Sequence, residues 1–256
     1  MNQFSIVIIT KNEEDVLERT LKSVQGITDD LVIVDSGSTD TTLAIASQFT
    51  SHIIKTEWLG YGATKNLGIN ASKYNWILSL DADEAIDETL KKNLLALRLE
   101  QETIVYKADF KNFIGEHCLR HGGYLKSTSV ILFNKKHVKW GHEEVHEKLV
   151  IPGNFSHRKL EGNVLHYTMK DLADFNHKMS GYAMLGAQKY FNQGRKVSKM
   201  KILFVRRFSL LRNFIFRGGF LDGYAGLVAA SLYAHYTFLK YARLRELLDA
   251  RKKNHP

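Results

Sequence analysis

Short, mostly apolar runs alternate with amphipathic ones through the first part of the chain. Phe4 to Ile9 is a short run that is apolar apart from Ser5, and Glu13 to Val24 then sets Val16, Leu17, Thr20, Leu21 and Val24 on one helical face. Leu31 to Val34 is a second apolar run, followed by a polar stretch and a helix carrying Leu43, Ala44, Ile45 and Phe49. His52 to Lys55 reads as a third strand, a short helix ends at Ala71, and Trp76 to Leu80 is a fourth strand. Apolar strands separated by helices predict a mainly parallel sheet covered on both faces. A helix from Asp87 to Leu99 leads into strands of alternating pattern, Thr103 to Phe113 and Ser129 to Phe133, which extend it to a mixed sheet. The fold class is therefore α/β, Rossmann-like.

Ligands of such sheets bind beyond the carboxyl ends of the strands, and polar clusters lie at each of these ends. Thr10, Lys11, Asn12 and Glu13 follow the first strand, with Thr10 or Asn12 able to cap the next helix as well as to touch a ligand. Asp35 closes the second strand. It can accept from a ribose hydroxyl or a base, since Ser38 and Asp40 already supply capping groups. Lys65 is either a phosphate neighbour or a solvated helix lysine. The fourth strand ends in Asp81-Ala82-Asp83, and because side chains alternate along a strand the two carboxylates are expected to point the same way. Two oxygen donors holding magnesium or manganese leave positions that a diphosphate fills.

Composition narrows the partners. The 256 residues allow one substantial core with an appended piece, and 36 basic against 27 acidic residues give a formal charge of +9, which favours anionic partners. The single cysteine, Cys118, excludes an intrachain disulfide and reads as an ordinary buried thiol. With a first strand that follows Met1 at once, without a basic leader, this leads us to expect a reducing cytoplasm.

From Arg195 to Arg217 there are eight basic and no acidic residues, interleaved with Ile202, Leu203, Phe204, Phe208, Leu210, Leu211, Phe214 and Phe216. This pattern predicts a helix lying on an anionic membrane surface. RNA binding competes on charge alone, with no accompanying motif, so no nucleic-acid partner is expected. Phe220 to Leu239 is about long enough to span a bilayer, but Asp222, His235 and several glycines interrupt it. Peripheral or partly embedded helices are expected, the other reading being a helical subdomain that closes the acceptor site.

Four segments together, Ser5 to Glu14, Val34 to Asp40, Lys65-Asn66-x-Gly68 and Asp81-Ala82-Asp83, resemble the inverting family-two glycosyltransferases of GT-A fold. The resemblance implies a UDP-sugar donor, Asp35 and Ser38 near the nucleoside, Asp83 as principal ligand of Mg2+ or Mn2+, and Asp81 against the ribose or the metal. Thr10, Asn12, Glu13 and Lys65 complete the donor-binding set. The stretch Arg212 to Tyr241, with Gly218-Gly219-Phe220-Leu221-Asp222-Gly223 at its centre, resembles the lipopolysaccharide core enzymes of that family. It implies a lipid-linked oligosaccharide acceptor at the cytoplasmic face of the inner membrane.

Inversion requires a base for the acceptor hydroxyl. Val145-His146-Glu147-x-Leu149 resembles a motif of the family's bacterial branches, which puts Glu147 in that role with His146 nearby and Glu143 and Glu144 as alternatives. His142 and His146 also have the i, i+4 spacing of a zinc-protease helix. Gly141 and β-branched Val145 argue against such a helix, and a zinc protease leaves the strand-end clusters unexplained; a solvated charged loop is the third reading. Arg120, His121, Gly122, Gly123 and Tyr124 are polar candidates for the acceptor pocket. The expected organisation is a catalytic domain over 1–168, divided into a nucleotide-sugar half (1–100) and an acceptor half (101–168), and a basic, membrane-associated helical extension over 169–256. The expected activity is transfer of a sugar, glucose for preference, from a UDP-sugar to lipopolysaccharide inner core. Polyprenyl-phosphate glycosyl transfer and a non-catalytic nucleotide-binding, membrane-docking protein are the alternatives.

Overall fold

A computed structural model describes residues 3–122, 128–141, 148–169 and 172–254. The chain divides into two compact units, Met1–Lys111 with Lys126–Tyr167, and Asn112–Leu125 with Thr168–Pro256.

In the first unit the apolar runs form β1 (Phe4–Thr10), β2 (Leu31–Asp35), β3 (Ile53–Lys55) and β4 (Trp76–Asp81), joined by α1 (Leu17–Val24), α2 (Thr42–Ala46) and α3 (Tyr61–Ala71). All of β1 is buried because helices cover both of its faces. Phe4, Ile6 and Ile8 pack with Leu17 and Leu21 of α1, while Val7 and Ile9 pack with Ile69 of α3. β1 runs parallel to β2 with Thr10 opposite Asp35, and parallel to β4 with Ile9 opposite Asp81. This register aligns the polar strand ends side by side.

The chain continues through β5 (Glu84–Ile86), α4 (Glu88–Ala96), β6 (Ile104–Ile114), β7 (His117–Leu119), β8 (Thr128–Asn134), β9 (Lys139–Trp140), β10 (Leu149–Val150) and β11 (Ser156–Met169). Among the described residues the main sheet runs β3-β2-β1-β4-β8-β6-β11-β5, with β7 paired to β6. β8 is antiparallel to β4 and β6, and β11 to β5, so the sheet is mixed, as the sequence predicts. Three helices are shorter than expected, among them α2, which ends at Ala46 and leaves Phe49 outside it. α1 begins at Leu17 because Asn12 takes a left-handed φ of 55° and the next residues turn to meet the loop after β2. α4 ends at Ala96, three residues before the predicted end.

The second unit contains α5 (Leu172–Asn192), α6 (Lys199–Leu211), a π-turn at Arg212–Phe216, a 3-10 turn at Gly219–Asp222 and α7 (Gly223–Asn254). Ala187, Val197 and Leu244 form its small core. The Lys240 ammonium lies over the rings of Tyr236 and Tyr190 at 4.7 and 4.9 Å. The basic segment is not one helix over 195–217: α6 starts after Ser198, whose hydroxyl accepts from the Lys201 amide at 3.2 Å. Among the described residues no helix is long and apolar enough to cross a membrane. Asp222, which interrupts the apolar stretch in the sequence, accepts from the amides of Arg120 and His121 at 3.0 and 2.8 Å and contacts His121 Nδ1 at 2.9 Å. It therefore anchors the 120–122 turn.

Candidate active site

The loops after β1 and β2 are built as one piece. Asp35 is buried, and its Oδ1 accepts from the amides of Gly37 and Ser38, each at 3.0 Å. The Ser38 hydroxyl donates to Asp35 Oδ2 and itself accepts from the Asn12 amide at 2.9 Å. Asn12 Oδ1 accepts from the Thr39 amide at 2.8 Å, and the Glu13 amide donates to Thr42 Oγ1 at 2.8 Å. Thr10 contributes its carbonyl, which accepts from the Ser36 amide at 3.0 Å, while its buried hydroxyl has no hydrogen-bond partner among the described residues. Asp40 fastens the far side, accepting from the Thr42 amide at 3.0 Å. Burial works against its charge, but the Thr42 hydroxyl and the amides of Thr42 and Glu14 outweigh this and hold the carboxyl below its ordinary range. Thr10, Asn12, Glu13, Asp35 and Ser38 thus come together, and Asp35 shapes this loop in addition to lining it.

Each residue of the Lys65-Asn66-x-Gly68 segment has a separate task. Lys65 is buried rather than solvated. Its Nζ lies 2.8 Å from Asp81 Oδ1 and 4.3 Å from the centre of the Trp140 ring. Asn66 holds the backbone of Trp140. Gly68 lets α3 approach the sheet: a Cβ there would fall 2.6 Å from methyl groups of Val7 and Val34.

β4 stops at Asp81, and Ala82 and Asp83 form a turn before β5, so the same-face alternation expected of a continuing strand does not extend to Asp83. The Asp81 amide donates to the buried Glu84 at 3.0 Å, closing the turn. Asp81 pairs with Lys65. Asp83 faces β11 instead: its carbonyl accepts from the Tyr167 amide at 2.8 Å, and its Oδ2 lies 3.4 Å from His166 Nε2. The His166 ring stands edge-on to Phe110, and Arg19 covers the ring of Tyr167 at 4.1 Å.

His166 is the residue that sequence reasoning missed. Its signal was the alternation along β11, where Leu160 and Val164 are buried and His166 falls on the same face two residues later. A carboxylate oxygen and an imidazole nitrogen 3.4 Å apart are too far for a strong hydrogen bond, yet two donors sharing one ion through bonds of about 2.1 Å sit roughly 3 Å apart. The Asp83–His166 pair therefore fits a divalent cation, although among the described residues no group of three such ligands gathers. Glu143, Glu144, His146 and Glu147, together with His142, lie outside the described residues, as do Gly123 and Tyr124.

The sequence profile of glycosyl transferase family 2 matches residues 5–147. An uncharacterized glycosyltransferase of Rickettsia typhi is 28% identical over 269 aligned residues, covering 96% of this chain and 88% of the relative. The lipopolysaccharide core biosynthesis glycosyltransferase LpsC of Rhizobium meliloti is 26% identical over 256, covering 96% and 94%. Among solved structures, S. aureus TarS 1-349 superposes with a TM-score of 0.48 at 16% identity, covering 94% of this chain and 91% of that one. With a profile that spans more than half of its length, carried on a mixed α/β sheet with the strand-end loops just described, this chain belongs to glycosyl transferase family 2 and is a glycosyltransferase of GT-A fold.

Proposed function

We propose that this chain transfers a hexose, glucose for preference, from a UDP-sugar to a lipid-linked saccharide of the lipopolysaccharide core, with inversion at the anomeric carbon. The observation that carries the reading is the division of labour at the end of β4, where Lys65 neutralises Asp81 and His166 stands beside Asp83. The similarity to the lipopolysaccharide core biosynthesis glycosyltransferase of Rhizobium supports the acceptor.

In this reading the nucleoside lies against the joined loops, with Asp35 and Ser38 beneath it and Asp81 towards the ribose. Asp83 and His166 would hold the cation, manganese ahead of magnesium because an imidazole donor suits the softer ion. When bound, the cation supplies charge neutralisation for the departing diphosphate. Glu147 takes the proton of the acceptor hydroxyl as that oxygen bonds to the anomeric carbon and the bond to UDP breaks, so no covalent enzyme intermediate forms. Glu143 and Glu144 are the alternative bases, with His146 next to Glu147 in the sequence. The exposed apolar side chains of α6, Met200, Phe204, Phe208 and Leu211, support peripheral attachment to the cytoplasmic face of the inner membrane.

The test is a screen of UDP-sugars for UDP release with a core-saccharide acceptor, with and without a chelator. Asp83→Ala abolishes donor binding, whereas Glu147→Ala binds donor and does not transfer. Turnover and donor affinity indifferent to the chelator would overturn the metal assignment, and UDP release from no acceptor of this class would overturn the acceptor.

A further inference from the structure

The helix α6 presents two surfaces of different chemistry, an exposed apolar stripe and a basic flank that adjoins α7. Ser209 and Asn213 are buried. Met200, Phe204, Phe208, Leu211 and Ile215 recur at helical spacing and are all exposed, Phe208 by 64%. Beside this stripe lies a groove of about 540 Å³ that brings Lys199, Arg206 and Arg207 together with Ile202, Leu210 and, from α7, Phe238. The groove has an order to it. Its three cations all come from α6, in a segment without an acidic residue from Arg195 to Arg217, and its apolar lining is shared between α6 and α7.

A free phosphate or nucleotide has no use for the apolar half of such a groove, and a hydrocarbon has none for the cations. An anionic amphiphile uses both. The surroundings select among amphiphiles: the exposed stripe continues into Phe216 and Leu221 between α6 and α7 and Tyr224 at the start of α7, exposed by 79%, 61% and 78%. Side chains of this size exposed in a row suit the headgroup boundary of a bilayer, where arginine and lysine extend their ammonium or guanidinium groups towards phosphate. We infer that the α6–α7 groove is a binding site for one anionic phospholipid of the bilayer, its phosphate held by Lys199, Arg206 and Arg207 and an acyl chain lying along Ile202, Leu210 and Phe238. This rests on the membrane-surface reading above and adds to it a defined lipid site, separate from the stripe that enters the headgroup layer.

The experiment uses the full chain with Phe238→Trp, read against the wild-type protein and its own three tryptophans. Vesicles of phosphatidylcholine with added phosphatidylglycerol are prepared with bromine on the acyl chains of one lipid or the other. Quenching of the added indole by brominated phosphatidylglycerol and not by brominated phosphatidylcholine is the expected result. Arg206→Gln with Arg207→Gln in wild-type background, tested by vesicle sedimentation, weakens binding about thirtyfold, while Arg212→Gln with Lys196→Gln, outside the groove, weakens it far less. Equal quenching by both lipids, or equal losses for the two double variants, overturns the groove site while leaving attachment intact. If the wild-type chain fails to sediment with phosphatidylglycerol vesicles at all, the membrane reading itself falls, and with it the site. Inorganic phosphate that displaces the protein from vesicles at millimolar concentration would likewise overturn a lipid site.

Discussion

Asn66 and Trp140 exchange two hydrogen bonds: the Asn66 amide nitrogen donates to the Trp140 carbonyl at 2.9 Å, and the Trp140 amide donates back to Asn66 Oδ1 at 3.1 Å. One side chain on α3 thus satisfies both backbone groups of the residue whose ring lies over Lys65. The strand before residues 142–147 and the lysine beside Asp81 share a single helix turn. Asn66→Ala leaves two part-buried backbone groups to find water, at a cost of roughly 1–3 kcal/mol. Urea denaturation measures the loss, and Asn66→Asp, which keeps only the accepting half, falls between the two.

Lys65 is the only described cation paired with Asp81. Lys65→Met removes the positive charge and leaves the carboxylate, so UDP affinity falls at least about tenfold, or roughly 1.4 kcal/mol. Lys65→Arg does not restore it, because a planar guanidinium cannot reproduce the compact ammonium that meets Asp81 at 2.8 Å and the Trp140 ring at 4.3 Å. Titration calorimetry with UDP checks both variants, and wild-type affinity in either would remove Lys65 from the donor site.

His166→Ala separates the two carboxylates. In the proposed metal site it lowers Mn2+ affinity at least about tenfold and leaves the Asp81–Lys65 pair in place. His166→Asn keeps the size but offers no imidazole nitrogen, and gives the same loss. Binding of Mn2+ in the presence of UDP is the readout, and unchanged affinity would return Asp83 to a purely structural role in its turn.

Stability towards acid follows from Asp40. Its carboxyl is held below the ordinary 3.8, so the folded state binds this proton less readily than the unfolded chain. The contribution is complete above that ordinary value and is lost as the pH falls through the lowered one. Asp40→Asn flattens this part of the acid-unfolding profile. An identical profile for wild type and variant would exclude Asp40 as its source.

Gly162 adopts a φ of +101°, and a Cβ there would lie 2.2 Å from the Leu90 amide nitrogen. That amide is the one Asp87 caps at 2.9 Å. Gly162→Ala adds backbone strain to a clash against the first turn of α4 and costs roughly 2–5 kcal/mol. Thermal unfolding provides the measurement, with Asp87→Ala, a lost cap of about 1 kcal/mol, as the milder reference.

Much of this was readable from residues in order. β1, β2 and β4 are mostly apolar along their length because helices bury both faces, and that pattern survives in one dimension. The side-by-side placement of Thr10, Asp35 and Asp81 followed from parallel strands of similar length. What the sequence did not disclose depends on pairing across distance. Lys65 looks like any helix lysine until Trp140 covers it, and His166 lies in a strand of mixed composition and pairs there with β5, which is three residues long. The alternation that put Asp81 and Asp83 on one face failed because strand periodicity ends where the turn begins. Asp222 looked like a flaw in an apolar stretch because its two amide partners lie a hundred positions earlier, and residue spacing carries no signal of that contact.

The family profile ends at residue 147, yet Asn112–Leu125 within it belongs to the same compact unit as the helices, and its turn is pinned by Asp222. Sequence ancestry and structural modularity are therefore cut along different lines in this chain. A fragment trimmed to the profile, or a chimera that swaps only the helical tail, strands a hairpin from the carboxylate that organises it. Exchange of tails between relatives has to carry the Asn112–Leu125 insert along with it.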